Sequence, residues 1–213
     1  MANKDNLIYK ESIINGKIHD SLEDPISETM YDIADNISKP LNNCGINDNM
    51  ITTVRIALII FAFLYCFENK MYKTASSLYL LAFFGDCLDG HLSRQTTGNN
   101  NVHDYYDCFA DIITLSLSIY FIAKTLSEHY RWILSIIILL LVLSLFHTSC
   151  EERYMVMTGL KNKYTLPIKC LCSNNVVENE DLEDTMEISR LFGFGSYHVF
   201  IAILLWNFNS LTD

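Results

Sequence analysis

Basic residues are scarce in this chain: 15 Lys and Arg stand against 25 Asp and Glu, giving a formal net charge of −10. No stretch gathers enough positive charge to neutralise a run of phosphates, so nucleic-acid binding is disfavoured. A secretory leader is not expected, because the first 20 residues are polar and mixed in charge. The seven cysteines, at 44, 66, 87, 108, 150, 170 and 172, follow no framework spacing and several fall in apolar runs. Reduced thiols are therefore expected rather than disulfides, and the pair in KCLCS is too short a pattern to argue metal or redox chemistry. No internal repeat is present, and Asn99–Asn101 is the one low-complexity tract. Lys and Arg are spread too evenly between loops to fix an orientation in a membrane.

Apolar residues, by contrast, make up half of the 213 positions. With so acidic a chain they must be segregated, and they fall in blocks at 51–67, 74–92, 108–123, 132–147 and 191–206. Each block, with its flanks, approaches the roughly 17–25 residues that cross a bilayer core as helix. The run WILSIIILLLVLSLFH at 132–147 shows almost no amphipathic alternation, which argues against a soluble bundle with apolar core helices. The expectation is an all-α polytopic membrane bundle with about five spans, sitting in a lipid bilayer.

Ahead of the first span, Leu22, Ile26, Met30, Ile33, Ile37 and Leu41 recur at steps of three and four among polar residues. That is one apolar stripe on a helix. Asp24 and Pro25 read as an N-cap and a first helical position, and Gly45 follows the last turn. A helix of this kind before a span is expected to lie in the headgroup plane. The chain is thus expected to divide into a polar tail (1–20), a juxtamembrane amphipathic helix (21–47) and a transmembrane domain (48–213). The polar stretch 150–188 is expected to be a solvated acidic loop with a short helix at most.

Against these apolar runs stands the segment GDCLDGHLSRQTTGNNNVHDYYDCFAD, residues 85–111. An ionised carboxylate is costly in such surroundings unless something pairs with it. On a helix, Asp86 and Asp89 share one face as i and i+3, and Asp107 and Asp111 share another as i and i+4. The 17 residues between Asp89 and Asp107 suffice to end one helix, turn, and begin an antiparallel neighbour. The two carboxylate pairs can then face each other across a helix hairpin. Hard oxygen donors gathered in this way are stabilised by divalent cations such as Mg²⁺ or Mn²⁺, which usually complete their shells with phosphate oxygens. A diphosphate substrate is implied. Gly90 removes a side chain beside Asp89, and Arg94, on the Asp86 face, has the planar fork that grips phosphate. The competing reading is a structural network with nearby Lys and Arg, and few basic residues lie near the block.

The block resembles the signature D-x2-D-G-x2-A-R-x8-G-x3-D-x3-D of the class-I CDP-alcohol phosphatidyltransferases. Asp86, Asp89, Gly90, Arg94, Asp107 and Asp111 match at the family's spacing, with Ser93 in place of alanine and His103 in place of glycine. A second likeness lies upstream, where Asn49, Thr52 and Arg55 fit a P-N-x2-T-x2-R pattern, with Asp48 in place of the proline. The resemblance implies two Mg²⁺ or Mn²⁺ ions held by Asp86, Asp89, Asp107 and Asp111, with Asp111 also the catalytic base. It further implies substrate contacts from Gly90, Arg94, Ser93, Asn49 and Thr52, around the diphosphate of a CDP-linked lipid or alcohol. The acceptor would be a small alcohol or diacylglycerol, and CMP would leave. It implies six spans, the sixth falling within residues 163–177, a membrane of endoplasmic-reticulum type in a eukaryotic setting, and a homodimer as a candidate assembly.

TASSLYLLAFFGDCLDGHLSR, residues 74–94, is similar to eukaryotic phosphatidylinositol synthases, which favours inositol as acceptor. Glycerol phosphate, serine, ethanolamine and choline stay open. Asp104, one turn before Asp107, is expected to be solvated, though it is placed to compete as a ligand. Two rival classes stand beside this reading. An intramembrane prenyltransferase would carry its two acidic motifs far apart, whereas here they lie within 26 residues. A catalytically degenerate, non-enzymatic membrane protein would keep the acidic cluster without the reaction.

Overall fold

The computed structural model describes residues 13–14, 17–18, 22–96, 101–158, 171–172 and 179–212. Apart from a two-residue antiparallel pair, β1 (Ile13–Ile14) with β2 (Lys17–Ile18), the described chain is helical. Its main helices are α1 (Pro25–Asn43), α2 (Asp48–Phe61), α3 (Tyr72–Thr96), α4 (Asn101–Thr125), α5 (Trp132–Met157), α6 (Asn179–Ser189) and α7 (Phe194–Trp206). A terminal turn, α8 (Asn209–Thr212), follows. The last turn of the first apolar run, Ala62–Phe67, is π-helical and continues α2.

Four segments among the described residues are long and apolar enough to cross a membrane: Asp48–Phe67, Tyr105–Thr125, Glu128–Met157 and Leu182–Trp206. The expected block at 74–92 is the difference. It lies in α3, which has the length, but Asp86, Asp89 and His91 dilute its apolar character. The sixth span expected within 163–177 lies outside the described residues except for Leu171 and Cys172, as does most of the polar N-terminal tail.

The helix ends follow their sequence signals. At the start of α1 the Asp24 carboxylate accepts from the Ile26 and Ser27 N–H groups, both at 2.9 Å, which is N-capping with proline at the first helical position. Past its last turn, Gly45 takes a left-handed φ of 77°, a conformation glycine adopts without steric cost. Asn47 caps α2 by accepting from the Met50 N–H at 2.9 Å. Asp48 therefore occupies the first helical position, where the family pattern has its proline.

The chain forms two compact units, one of Met1–Glu28 with Leu140–Ser196, the other of Thr29–Leu139 with Tyr197–Asp213. In the second unit α2 packs on α3 and α4. Phe63 and Phe67, from the π-helical turn, meet Phe121 of α4 at ring separations of 5.8 and 5.7 Å, and Phe67 meets Phe208 at 5.1 Å. The buried Ser76 hydroxyl of α3 donates to the Ala202 carbonyl of α7 at 2.7 Å. The small, buried residues of α1, Ala34 and Ser38, mark its packed face, and Ala34 joins Leu88 and Leu92 of α3. Ile33 and Ile37, part of the expected apolar stripe, are exposed.

The first unit corrects two expectations. Cys150 and Cys172 form a disulfide with their Cα atoms 5.2 Å apart, while Cys44, Cys66, Cys87 and Cys108 are not disulfide-bonded. The pairing joins the end of α5 to a distant segment, a proximity that cysteine spacing does not encode. The acidic stretch is also more structured than a solvated loop. α5 continues to Met157, and α6 buries Leu182 and Met186, an i, i+4 pair, against Leu22, Cys150 and Tyr154. Asp24 also belongs to this unit, where its second oxygen accepts from the Ser196 N–H at 3.1 Å and hydroxyl at 2.9 Å in the first turn of α7. Gly193 and Gly195 make room for it, since a Cβ at either would run into the Asp24 carboxylate.

One carboxylate thus serves two helix ends. Asp24→Ala is expected to cost about 2 kcal/mol, the sum of two caps, read as a lower thermal unfolding midpoint of the detergent-solubilised protein. Asp24→Asn, which keeps one acceptor oxygen, should lose about half as much. An unchanged midpoint for Asp24→Ala would show that the caps contribute nothing.

Candidate active site

The helix hairpin expected from spacing brings its carboxylates together. One oxygen from each of Asp86 and Asp89 on α3 and Asp107 on α4 lies within 4.8 Å of the others. Asp86 and Asp107 are about one-third exposed, whereas Asp89 is fully buried. Asp111, one turn further along α4, is not part of this triple. It reaches the group through an arginine.

That arginine is Arg55, from α2, with a side chain only 3 % exposed. Its Nη1 contacts the Asp86 carboxylate and lies 4.0 Å from Asp89 Oδ2. Its Nη2 donates to Asp107 Oδ1 at 2.8 Å and to Asp111 Oδ1 at 3.2 Å. A single guanidinium therefore faces all four signature aspartates, drawn from two helices. The paucity of basic residues near the acidic block in sequence does not hold in space.

Thr52 precedes Arg55 by one turn of α2 and is fully buried. Its hydroxyl donates to Asp89 Oδ2 at 2.6 Å. The other oxygen, Asp89 Oδ1, is buried with no hydrogen-bond partner among the described residues. Leaving a carboxylate oxygen buried and unpaired is costly, and a bound cation is one partner that would satisfy it. Three convergent carboxylates, one with an orphaned oxygen, are a donor set that fits a hard divalent ion.

The remaining predicted site residues are scattered in their support. A Cβ built on Gly90 would find nothing within 4 Å, so open space borders Asp89. Ser93 is half-buried one turn on, and Asn49 is exposed in the first turn of α2. The side chains of Arg94, His103 and Asp104 lie outside the described residues.

Two residues that sequence reasoning gave no role belong to this site. Arg55 carried a signal, because an arginine inside an apolar run must find a partner. His198 carried none beyond its place in the last apolar block. It lines a small cavity with Arg55, Asp86, Asp111, Thr114 and Phe83. Its Nδ1 is 2.7 Å from the Tyr79 hydroxyl, and its ring stacks on Phe83 at 4.7 Å.

Four apolar helices long enough to span a bilayer point to an integral membrane protein, and its three convergent carboxylates could hold a divalent ion. The family model for CDP-alcohol phosphatidyltransferase matches residues 47–174, and the chain belongs to that family. The match begins at the Asn47 cap and contains Thr52, Arg55 and all four aspartates, while His198 lies beyond it. No curated protein and no solved structure matches the chain. The family consists of phosphotransferases acting on substituted phosphate groups, and it uses divalent metal ions.

The Thr52 hydroxyl is the one side-chain hydrogen bond described for Asp89. Thr52→Val should cost about 1–3 kcal/mol in thermal unfolding of the metal-free protein, because it leaves both Asp89 oxygens without a donor. Thr52→Ser, which keeps the hydroxyl, should recover most of the loss. Equal midpoints for the valine and serine variants would remove the hydrogen bond from the account.

Proposed function

We propose that the protein transfers a phosphatidyl or phospho-alcohol group from a CDP-linked substrate to an alcohol, releasing CMP. The observation that carries this reading is the orphaned Asp89 oxygen inside a cluster of three convergent carboxylates, in a chain of this family.

In this reading Asp86, Asp89 and Asp107 hold two Mg²⁺ or Mn²⁺ ions, with Asp111 able to complete the shell. When bound, the ions neutralise the diphosphate and stabilise the leaving phosphate. Asp111 is set apart from the triple and borders the cavity, which suits the base better than a primary ligand. It takes the proton of the acceptor hydroxyl as that oxygen bonds to the phosphorus. The bond from phosphorus to the CMP oxygen breaks, and CMP carries the electron pair away. The open space at Gly90 admits the diphosphate, with Ser93 and Arg94 following on the same helix, Arg94 as a bidentate grip. Asn49 stands on the nucleotide side. Thr52 has its hydroxyl committed to Asp89, so its part is to orient that carboxylate.

Inositol is the first candidate acceptor, supported by the likeness of residues 74–94 to phosphatidylinositol synthases. The amphipathic α1, with Ile33 and Ile37 exposed, is suited to the headgroup plane of an endoplasmic-reticulum-type membrane, and a homodimer fits the same reading.

The purified protein in detergent, given CDP-diacylglycerol, Mn²⁺ and inositol, should release CMP. Asp111→Asn should lower the rate by about 10²–10⁴-fold, the usual contribution of a positioned base. Product with serine or glycerol phosphate instead would reassign the acceptor. No CMP with any acceptor, nor with CDP-choline or CDP-ethanolamine and diacylglycerol, would show a non-catalytic member of the family.

A further inference from the structure

We infer that Arg55 is a built-in counter-cation that holds the four aspartates together when no metal ion is bound, and that divalent ions must displace it from their oxygens. The inference rests on the metal reading above.

The geometry is specific. Nη1 and Nη2 of one guanidinium engage the Oδ1 atoms of Asp86, Asp107 and Asp111. Asp86 and Asp107 belong to the three-carboxylate group whose oxygens converge as metal ligands. An arginine has five N–H donors, no acceptor, and a charge it does not lose in proteins, so it can occupy a cation's place but never coordinate one. One positive charge does not balance the carboxylates of the cluster, and the net negative charge that remains draws in dications. A dication on the same oxygens would stand within roughly 4–5 Å of the guanidinium, where like charges repel strongly at the edge of an apolar bundle. The two cannot hold the same Asp86 and Asp107 oxygens at full strength.

Arg55 is thus a positioning residue. It keeps α2, α3 and α4 in register around a site that would otherwise spring apart, and it sets a threshold that the incoming ions must overcome. The guanidinium released by that exchange remains beside the cluster on a long side chain, with phosphate as the natural new partner for its planar fork.

Metal affinity and metal-dependent stability test this without reference to turnover. Full-length wild type, Arg55→Gln and Arg55→Lys would be purified in detergent with Mn²⁺ and then chelated. Mn²⁺ binding would be followed by loss of the free aquo-ion signal in electron paramagnetic resonance, and thermal unfolding measured in EDTA and in saturating Mn²⁺. Arg55→Gln should bind Mn²⁺ at least about tenfold more tightly than wild type, as expected when a like charge is removed at contact range. In EDTA it should melt at least about 5 °C lower, and Mn²⁺ should restore most of that gap. Arg55→Lys, which keeps the charge and loses the fork, should stay near wild type in affinity. Unfolding of Arg55→Gln on chelation alone is the same result in its extreme form. Equal or weaker Mn²⁺ binding by Arg55→Gln, or a wild-type midpoint in EDTA, would overturn the role of Arg55 and leave the metal reading standing. A wild type that binds no Mn²⁺ would overturn both.

Discussion

Charge inside an apolar helix bundle is tolerable when opposite charge arrives with it, and in this chain the meeting of Arg55 with the signature aspartates satisfies that condition. Either partner alone would be expensive: an arginine in the middle of ITTVRIALIIF, or four carboxylates beside SSLYLLAFF. Together they tie three helices at one point. Thr52 adds a donor from the same face of α2, one turn before Arg55, so that α2 serves as the wall against which the carboxylates of α3 and α4 are set. The asymmetry that results is chemically useful. Asp89 is buried and half-satisfied, Asp86 and Asp107 are partly open, and Asp111 stands outside the converging oxygens.

What was legible in the sequence was local. The i, i+3 and i, i+4 spacing of the aspartates, the Asp24-Pro25 start of α1 and the apolar runs each depend on residues within one or two helical turns. The start of α1 and four of the five apolar runs appear as expected, and three of the four carboxylates converge across the hairpin, with Asp111 outside the group. What was not legible depends on partners far along the chain. Arg55 meets Asp107 and Asp111 at sequence separations of 52 and 56, and Tyr79 meets His198 at 119. A charge census of the acidic block's own neighbourhood therefore undercounted its counter-ions. The disulfide of Cys150 with Cys172 and the burial of Leu182 and Met186 escaped for the same reason. Their local context is polar and acidic, and only tertiary packing turns α6 into a helix with an inner face.

The long helix α3, which falls short of a membrane span by composition, buries much of its surface against protein. Along α3, Ala75, Tyr79, Ala82, Cys87, Leu88 and Leu92 are all buried, together with the polar Ser76 and Asp89. A helix surrounded by other helices need not be apolar on every face, because its polar groups meet protein partners instead of lipid. Ser76 finds the Ala202 carbonyl, Tyr79 finds His198, and Asp89 finds Thr52. By contrast, α5 has no charged residue in 132–147, and it exposes Ile138, Leu139 and Val142. Hydropathy therefore reads lipid contact more faithfully than it reads membrane depth. The residues that lower the hydropathy of α3 are the same aspartates that contribute two of the three converging carboxylates.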